Sequence, residues 1–166
     1  MRTLILFSLL LSSPVFADPY YTIQESGTSN TLRSITFINE NTGFSVGTSS
    51  TLLRTSNEGT NWIEVDISSS STIYNCVLFA NSSTGFVVSD AGELIKSTNG
   101  GLNWQINQLS SNALKCIYFI NETTGFTGGG NGTLYKTTNT GANWTDVSLS
   151  IGETINKIAF SDDDYG

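Results

Sequence analysis

The chain contains no histidine. That absence removes Ser-His-Asp and Cys-His catalysis, HExxH zinc centres and the Gly-His signature of WD40 blades. It has only two cysteines, Cys76 and Cys116, too few for a disulfide framework. Lysine and arginine total 7 against 14 acidic residues, for a net charge of −7. An acidic, Ser/Thr/Asn/Gly-rich surface of this kind is a poor partner for a phosphate backbone or an anionic membrane, so no nucleic-acid partner is expected. Long apolar runs are also missing. The longest, Leu4–Leu11, is too short to cross a bilayer, so no transmembrane segment is expected.

That single run has another reading. Arg2 precedes it, and Val15 and Ala17 follow as small residues flanking a cleavage point before Asp18. Residues 1–17 therefore read as a secretory signal peptide cleaved after Ala17, which predicts a secreted, periplasmic or extracellular protein.

What the chain does have is a repeat. Trp62, Trp104 and Trp144 are 42 and 40 residues apart, and "TGF" recurs at 42–44, 84–86 and 124–126 with the same spacing. Phe37, Phe79 and Phe119 each stand six residues before the Gly of that tripeptide, and "FSDDDYG" (160–166) restarts the pattern. The period is about 41 residues. Within one period the apolar pattern alternates, as in "LRSITFIN" (32–39), "FSVG" (44–47), "TLLRT" (51–55) and "NWIEVDI" (61–67), with Gly/Asn/Ser turns between. No stretch carries a helical period.

Four short antiparallel strands in about 41 residues is the size of a β-propeller blade. The fold expected is all-β, a partial propeller of about three full four-stranded blades. The expected division is 18–31 as an orphan outer strand and loop, 32–72 as blade 1, 73–113 as blade 2, 114–154 as blade 3 and 155–166 as the start of blade 4. The orphan strand is placed at Tyr20–Glu25, because Tyr21 falls where the repeat puts its Trp. The chain thus reads as the N-terminal piece of a longer protein, and its open sheet edges predict self-association. Cys76 and Cys116 hold one repeat position in successive blades. Equivalent side chains are expected to point the same way, leaving two free, buried thiols.

The repeated turn is Thr55-x-Asn57-x-Gly59-x-x-Trp62, then Ser97, Asn99, Gly101 and Trp104, then Thr137, Asn139, Gly141 and Trp144. Each Asn is expected to close an Asx-turn onto the N–H two residues on, and each Gly to supply a positive φ. Each Trp is expected to be mostly buried over its own hairpin. The pattern resembles the Asp-box of bacterial neuraminidase repeats, with Asn for Asp in all three copies. The wider pattern runs from hydrophobic-x-Phe through Gly-Phe and Leu-x-Lys/Arg-Thr/Ser to the box. It resembles the photosystem II assembly and stability factor family over 32–166. That resemblance implies a propeller whose boxes are structural and whose binding face is the opposite one. Phototrophic members carry an arginine-rich patch, whereas this chain has only Arg33 and Arg54 beyond its leader.

Function is then expected to be a non-catalytic binding or scaffold module for a protein or glycan partner, with no cofactor and no metal. "SDDDYG" (161–166) aligns with solvated turns rather than with a calcium loop. The alternative is a fragment of an Asp-box glycoside hydrolase, sialidase- or endoglucanase-like, for which Asp90 or Glu93 could supply one carboxylate of a pair. With the boxes on one face, the loops after strands two and four fall on the other. Arg33, Asn75, Lys115 and Asn156 share one repeat position beside that face. Together with Asp90, Glu93 and Asn131 they are the candidate binding residues.

Overall fold

The structure is a computed structural model that describes residues 3–5 and 23–160. Thr3–Ile5 (β1) pairs antiparallel with Ile23–Glu25 (β2), outside any blade. The rest of the expected leader, Tyr20–Thr22 of the expected orphan strand, and the acidic run 161–166 lie outside the described residues. Three four-stranded antiparallel sheets follow in chain order. Blade 1 holds β3 (Leu32–Phe37), β4 (Gly43–Gly47), β5 (Leu52–Thr55) and β6 (Ile63–Glu64). Blade 2 holds β7 (Tyr74–Phe79), β8 (Gly85–Ser89), β9 (Glu93–Ser97) and β10 (Gln105–Gln108). Blade 3 holds β11 (Leu114–Phe119), β12 (Gly125–Gly129), β13 (Leu134–Thr137) and β14 (Thr145–Asp146). No α-helix occurs among the described residues. The first strands β3, β7 and β11 are spatial neighbours and form the inner row.

The second strand of a blade is covered on both faces, and β4 and β8 are buried at every residue. Their alternating side chains therefore split between two blade junctions. Phe44 and Val46 of blade 1 meet Tyr74, Val77, Val87 and Ile95 of blade 2. Phe86 and Val88 of blade 2 meet Leu114 and Ile117 of blade 3. The core is thus two layers of apolar side chains between sheets, as the twofold period of the sequence requires.

The fourth strand is shorter than its alternation suggests. Only Ile63 and Glu64 of the expected 61–67 are laddered to β5. Just beyond the ladder Val65 N–H still donates to Leu52 O at 2.8 Å, and Val65 and Ile67 both pack onto the first junction. The expected first strand of blade 4 likewise has no ladder partner. Ile155 N–H donates to Gly129 O at 2.9 Å, and the segment lies along blade 3, where Phe160 stacks on Phe126 with centroids 5.2 Å apart.

Both cysteines are free thiols. Cys116 is buried, and burial pushes its thiol up to about 11. Ser34, which holds the same repeat position in blade 1, reaches Cys76 Sγ at 3.8 Å. Equivalent side chains therefore do touch from blade to blade, contrary to the geometric reason given for expecting free thiols.

Candidate functional site

The box turns occupy one face and are tied to the loops after the first strands. Glu58, Gly100 and Thr140 donate their N–H groups to Asn41, Ser83 and Thr123 carbonyls at 3.0, 2.8 and 2.9 Å. Inside each box the bonding differs from the expected Asx-turn. The hydroxyl of Thr55, Ser97 or Thr137 accepts the N–H of Asn57, Asn99 or Asn139 two residues on. The same hydroxyl accepts the N–H of Gly59, Gly101 or Gly141 four residues on. The Asn Oδ1 accepts that hydroxyl's proton and, at 2.9–3.0 Å, the N–H four residues further on. A Ser or Thr hydroxyl can donate and accept at once, so it takes the central place, and the Asn is needed only as an acceptor. True Asx-turns occur instead at Asn39, Asn81 and Asn121, in the loops after the first strands.

The boxes are also less self-contained than their sequence suggests. Trp62, Trp104 and Trp144 are half-buried rather than mostly buried. Trp104 sits edge-on to Phe79 of its own blade and to Phe44 of the preceding one, both at 6.0 Å. Those two phenyl rings stack at 4.8 Å. Trp144 repeats this on Phe119 and Phe86. Gly101 and Gly141 face the preceding blade so closely that an added Cβ would lie 2.2 Å from Phe44 and 2.5 Å from Phe86. Lys96 passes over the Phe86 ring and donates to Thr140 O of the next box at 2.8 Å. The second and third boxes are therefore clamps onto the preceding blade, made of Gly and Trp, with a cation from the third strand added at the third.

The opposite face carries the loops after the second and fourth strands, which are bonded to one another: Ser50 N–H to Thr72 O, Asp90 N–H to Ile73 O, and Gly130 N–H to Ala113 O. Four of the expected binding residues form one column there. Arg33 Nη1 donates to Asn75 Oδ1 at 2.9 Å. Asn75 Nδ2 donates to Asp90 Oδ1 at 2.6 Å and to Leu114 O at 2.7 Å. Lys115 Nζ closes the column on Asp90 Oδ1 at 2.5 Å. Burial alone would raise the Asp90 carboxyl, but the hydrogen bonds from Asn75 and Lys115 and the cations Lys115 and Arg33 outweigh it and hold it below its ordinary value. The column spans three blades and carries two cations to one anion, in a chain of opposite net charge.

The other three candidates stand elsewhere. Asn156 is exposed and donates only to Thr154 O, at 3.4 Å. Glu93 is not a loop ligand: it is 2 % exposed, and its carboxyl group accepts hydroxyl bonds from Ser69, Ser70 and Ser89. It pins the long loop of blade 1 onto blade 2. Thr51 and Thr133 hold the same position in blades 1 and 3 and are pinned by Asn30 and Asn112. Glu93 was expected among the binding residues of the loop face, but the recurrence of Thr51 and Thr133 at its position marked a buried polar site.

Asn131 belongs to a groove that the sequence reading missed. It lies between the end of β10 with its loop and the outer half of blade 3, encloses about 460 Å³, and includes Gln108, Asn112, Tyr135, Asp146 and Ser148. Asn131 adopts φ 54, a left-handed conformation that Asn tolerates, and donates to Asn112 Oδ1 at 3.1 Å. Ser148 donates to Asp146 Oδ1 through both its N–H and its hydroxyl, and these bonds hold the exposed Asp146 carboxyl below its ordinary value.

Blades fastened by box turns on one face, with a polar column and a groove on the other, define a partial β-propeller of Asp-box type. The chain belongs to the family of photosynthesis system II assembly factor YCF48, whose model matches residues 14–115 and 60–158. Among solved structures it is similar to YCF48 bound to D1 peptide, at 24% identity and TM-score 0.68, over 80% of this chain and 45% of that one. It is similar to YCF48 from Cyanidioschyzon merolae at 24% identity and TM-score 0.63, over 78% and 42% of the two chains. An ancestral GH74 enzyme shares the fold at 22% identity and TM-score 0.62, over 75% of this chain and 19% of that one. The chain thus spans under half the length of either YCF48 structure. No curated protein matches it.

Proposed function

We propose that the chain is part of an exported, non-catalytic binding protein whose partner is an extended polypeptide laid across the starts of the inner strands. The observation that carries this is the continuous column Arg33–Asn75–Asp90–Lys115, which crosses both blade junctions on the face opposite the boxes. Family membership supports it, since the related YCF48 has been captured with a D1 peptide. The excess positive charge of the column suits acidic side chains or a free carboxyl terminus. Export rests on the leader-like residues 1–17, and a secreted form beginning at Asp18 would support it.

The second reading, a glycosidase fragment, draws on the fold shared with the GH74 enzyme. Glycoside hydrolysis needs two carboxyl groups, one acid and one base or nucleophile, roughly 5–9.5 Å apart. Asp90 is engaged by Lys115 and Asn75, and Glu93 is closed off beneath three serines, so neither suits that pair. The test is fluorescence anisotropy of the full chain with a labelled acidic peptide ending in a free carboxylate. Saturable binding that weakens with salt and falls at least tenfold in R33E/K115E is expected. Binding indifferent to those substitutions, or release of reducing sugar from a β-glucan, would overturn the proposal.

A further inference from the structure

The repeat is broken at one place on the recognition face, and a cavity opens there. At the first junction, Ile95 of β9 is fully buried against Val65 and Ile67 of the long loop of blade 1, and the serines of that loop cover Glu93. At the second junction the residue equivalent to Ile95 is Tyr135, the one equivalent to Glu93 is Thr133, and Asp146 stands where blade 2 has Ile106. The connecting loop is also shorter, 109–113 against 65–73. An apolar plug and a long loop are thus replaced by a phenol, a hydroxyl, a carboxylate and open space of about 460 Å³. That volume lies within the roughly 300–1,000 Å³ of ordinary small-ligand sites.

The groups facing this space have a consistent character. Asn112 donates to Thr133 Oγ1 and accepts from Asn131 Nδ2, which fixes the floor. Gln108 spends its amide protons on Ala91 O and Ser110 O, and Asp146 Oδ1 is occupied by Ser148. These bonds leave Gln108 Oε1, Asn131 Oδ1 and Asp146 Oδ2 as unused acceptors on lining residues, beside Tyr135. Among the described residues no lysine or arginine lines it. An anion would meet a carboxylate with no counter-charge. An apolar ligand would strip water from amides and hydroxyls without replacing their hydrogen bonds. A ligand dense in O–H donors, uncharged, with a C–H face to lay on an aromatic ring satisfies every group.

We propose that the groove between blades 2 and 3 binds neutral carbohydrate, with Asp146, Asn131 and Gln108 accepting sugar hydroxyls and Tyr135 forming the stacking platform. Among the described residues Asp146 is the one carboxyl group lining it, whereas hydrolysis requires a pair. It is separate from the Arg33–Lys115 column and does not depend on the polypeptide reading.

The experiment is saturation-transfer NMR of the full chain with cellohexaose, maltohexaose and laminarihexaose, followed by affinity titration of whichever binds. At least one hexaose is expected to bind saturably, and Y135A and D146N each to weaken it tenfold or more. Asp146 is exposed, so D146N should unfold at the wild-type temperature; Tyr135 is half-buried, so Y135A is titrated below its own measured unfolding temperature. In R33E/K115E carbohydrate binding is expected to be unchanged. Absence of saturable binding by all three sugars overturns the proposal. So does binding that Y135A and D146N leave intact, or displacement of the sugar by a lysine-rich peptide with higher affinity at the same residues.

Discussion

Gly101 offers a direct test of whether the box turn clamps two blades or merely closes its own hairpin. It follows Gly100, and both adopt positive φ, +68 for Gly100 and +78 for Gly101. Forcing an alanine into that region costs about 1–2 kcal/mol at either position. The two differ in what a new Cβ would meet. At Gly100 the nearest atom is Ser82 O at 3.5 Å, an ordinary contact. At Gly101 it is the Phe44 ring of the preceding blade, at 2.2 Å. Phe44 is fully buried and stacked on Phe79, so the ring has little room to retreat. Overpacking of this kind adds about 1–3 kcal/mol. G100A should therefore lose about 1–2 kcal/mol and G101A about 2–5. For a chain of this size the excess of about 1–3 kcal/mol corresponds to a further drop in Tm of roughly 2–12 °C. Urea denaturation of both variants, with F44L and G101A/F44L to complete a double-mutant cycle, measures the excess and assigns it. The cycle should return a coupling of about 1–2 kcal/mol, because the smaller leucine relieves the clash. Equal losses for G100A and G101A, or additivity in the cycle, would show that the box does not seat on its neighbour.

Four other outcomes follow from the same contacts. W104A should lower stability by about 2–3 kcal/mol, measured by denaturant midpoint, and W62A by about 1 kcal/mol less. Trp104 has two ring partners and an indole bond to Gly101 O at 3.1 Å, against the single described ring partner Phe37 for Trp62. T140G should stabilise by about 0.5–1 kcal/mol in the same assay, since a β-branched residue is held at φ 55 there and only its backbone carbonyl serves Lys96. E93A should lose about 2–4 kcal/mol by stranding the hydroxyls of Ser69, Ser70 and Ser89, with E93Q losing less than half of that. In thiol titration, Cys76 should react before Cys116, whose burial holds it protonated at neutral pH, and unfolding should bring the total to two free thiols per chain.

The fold was legible because its signals are local and repeated. Alternating apolar residues, a Gly-Phe at each second strand and a Trp after each box turn mark strands and turns without any knowledge of partners. The column was half legible: a shared repeat position singled out Arg33, Asn75 and Lys115, but only the packing of the inner strands shows Asp90 joining them. Asn156 shares the position and joins nothing, since register alone says nothing of what the neighbouring blade supplies. Glu93 was taken for a binding residue because it ends the loop after the second strand, and two of the three serines that cover it, Ser69 and Ser70, come from a loop over twenty residues away. The groove was invisible for the opposite reason. It arises where the repeat fails, at Tyr135, Asp146 and a shortened loop, and a search for sameness passes over differences.

The inter-blade ties described above share one property: each joins a blade to its immediate neighbour and to no other. Ring stacks, box glycines, the Lys96 bridge and each rung of the column obey this rule. Stability is then a sum over blades and junctions taken in sequence, as in a row of coupled units, and no blade depends on one two places away. A blade could be inserted or removed by duplication without redesigning the others, provided the new junction carries its phenylalanine pair and its box. Blade 2, held from both sides, is the segment whose amides should exchange last, whereas β6 and β14, two residues long and exposed, open on their own. What is copied from unit to unit in this chain is the junction rather than the blade.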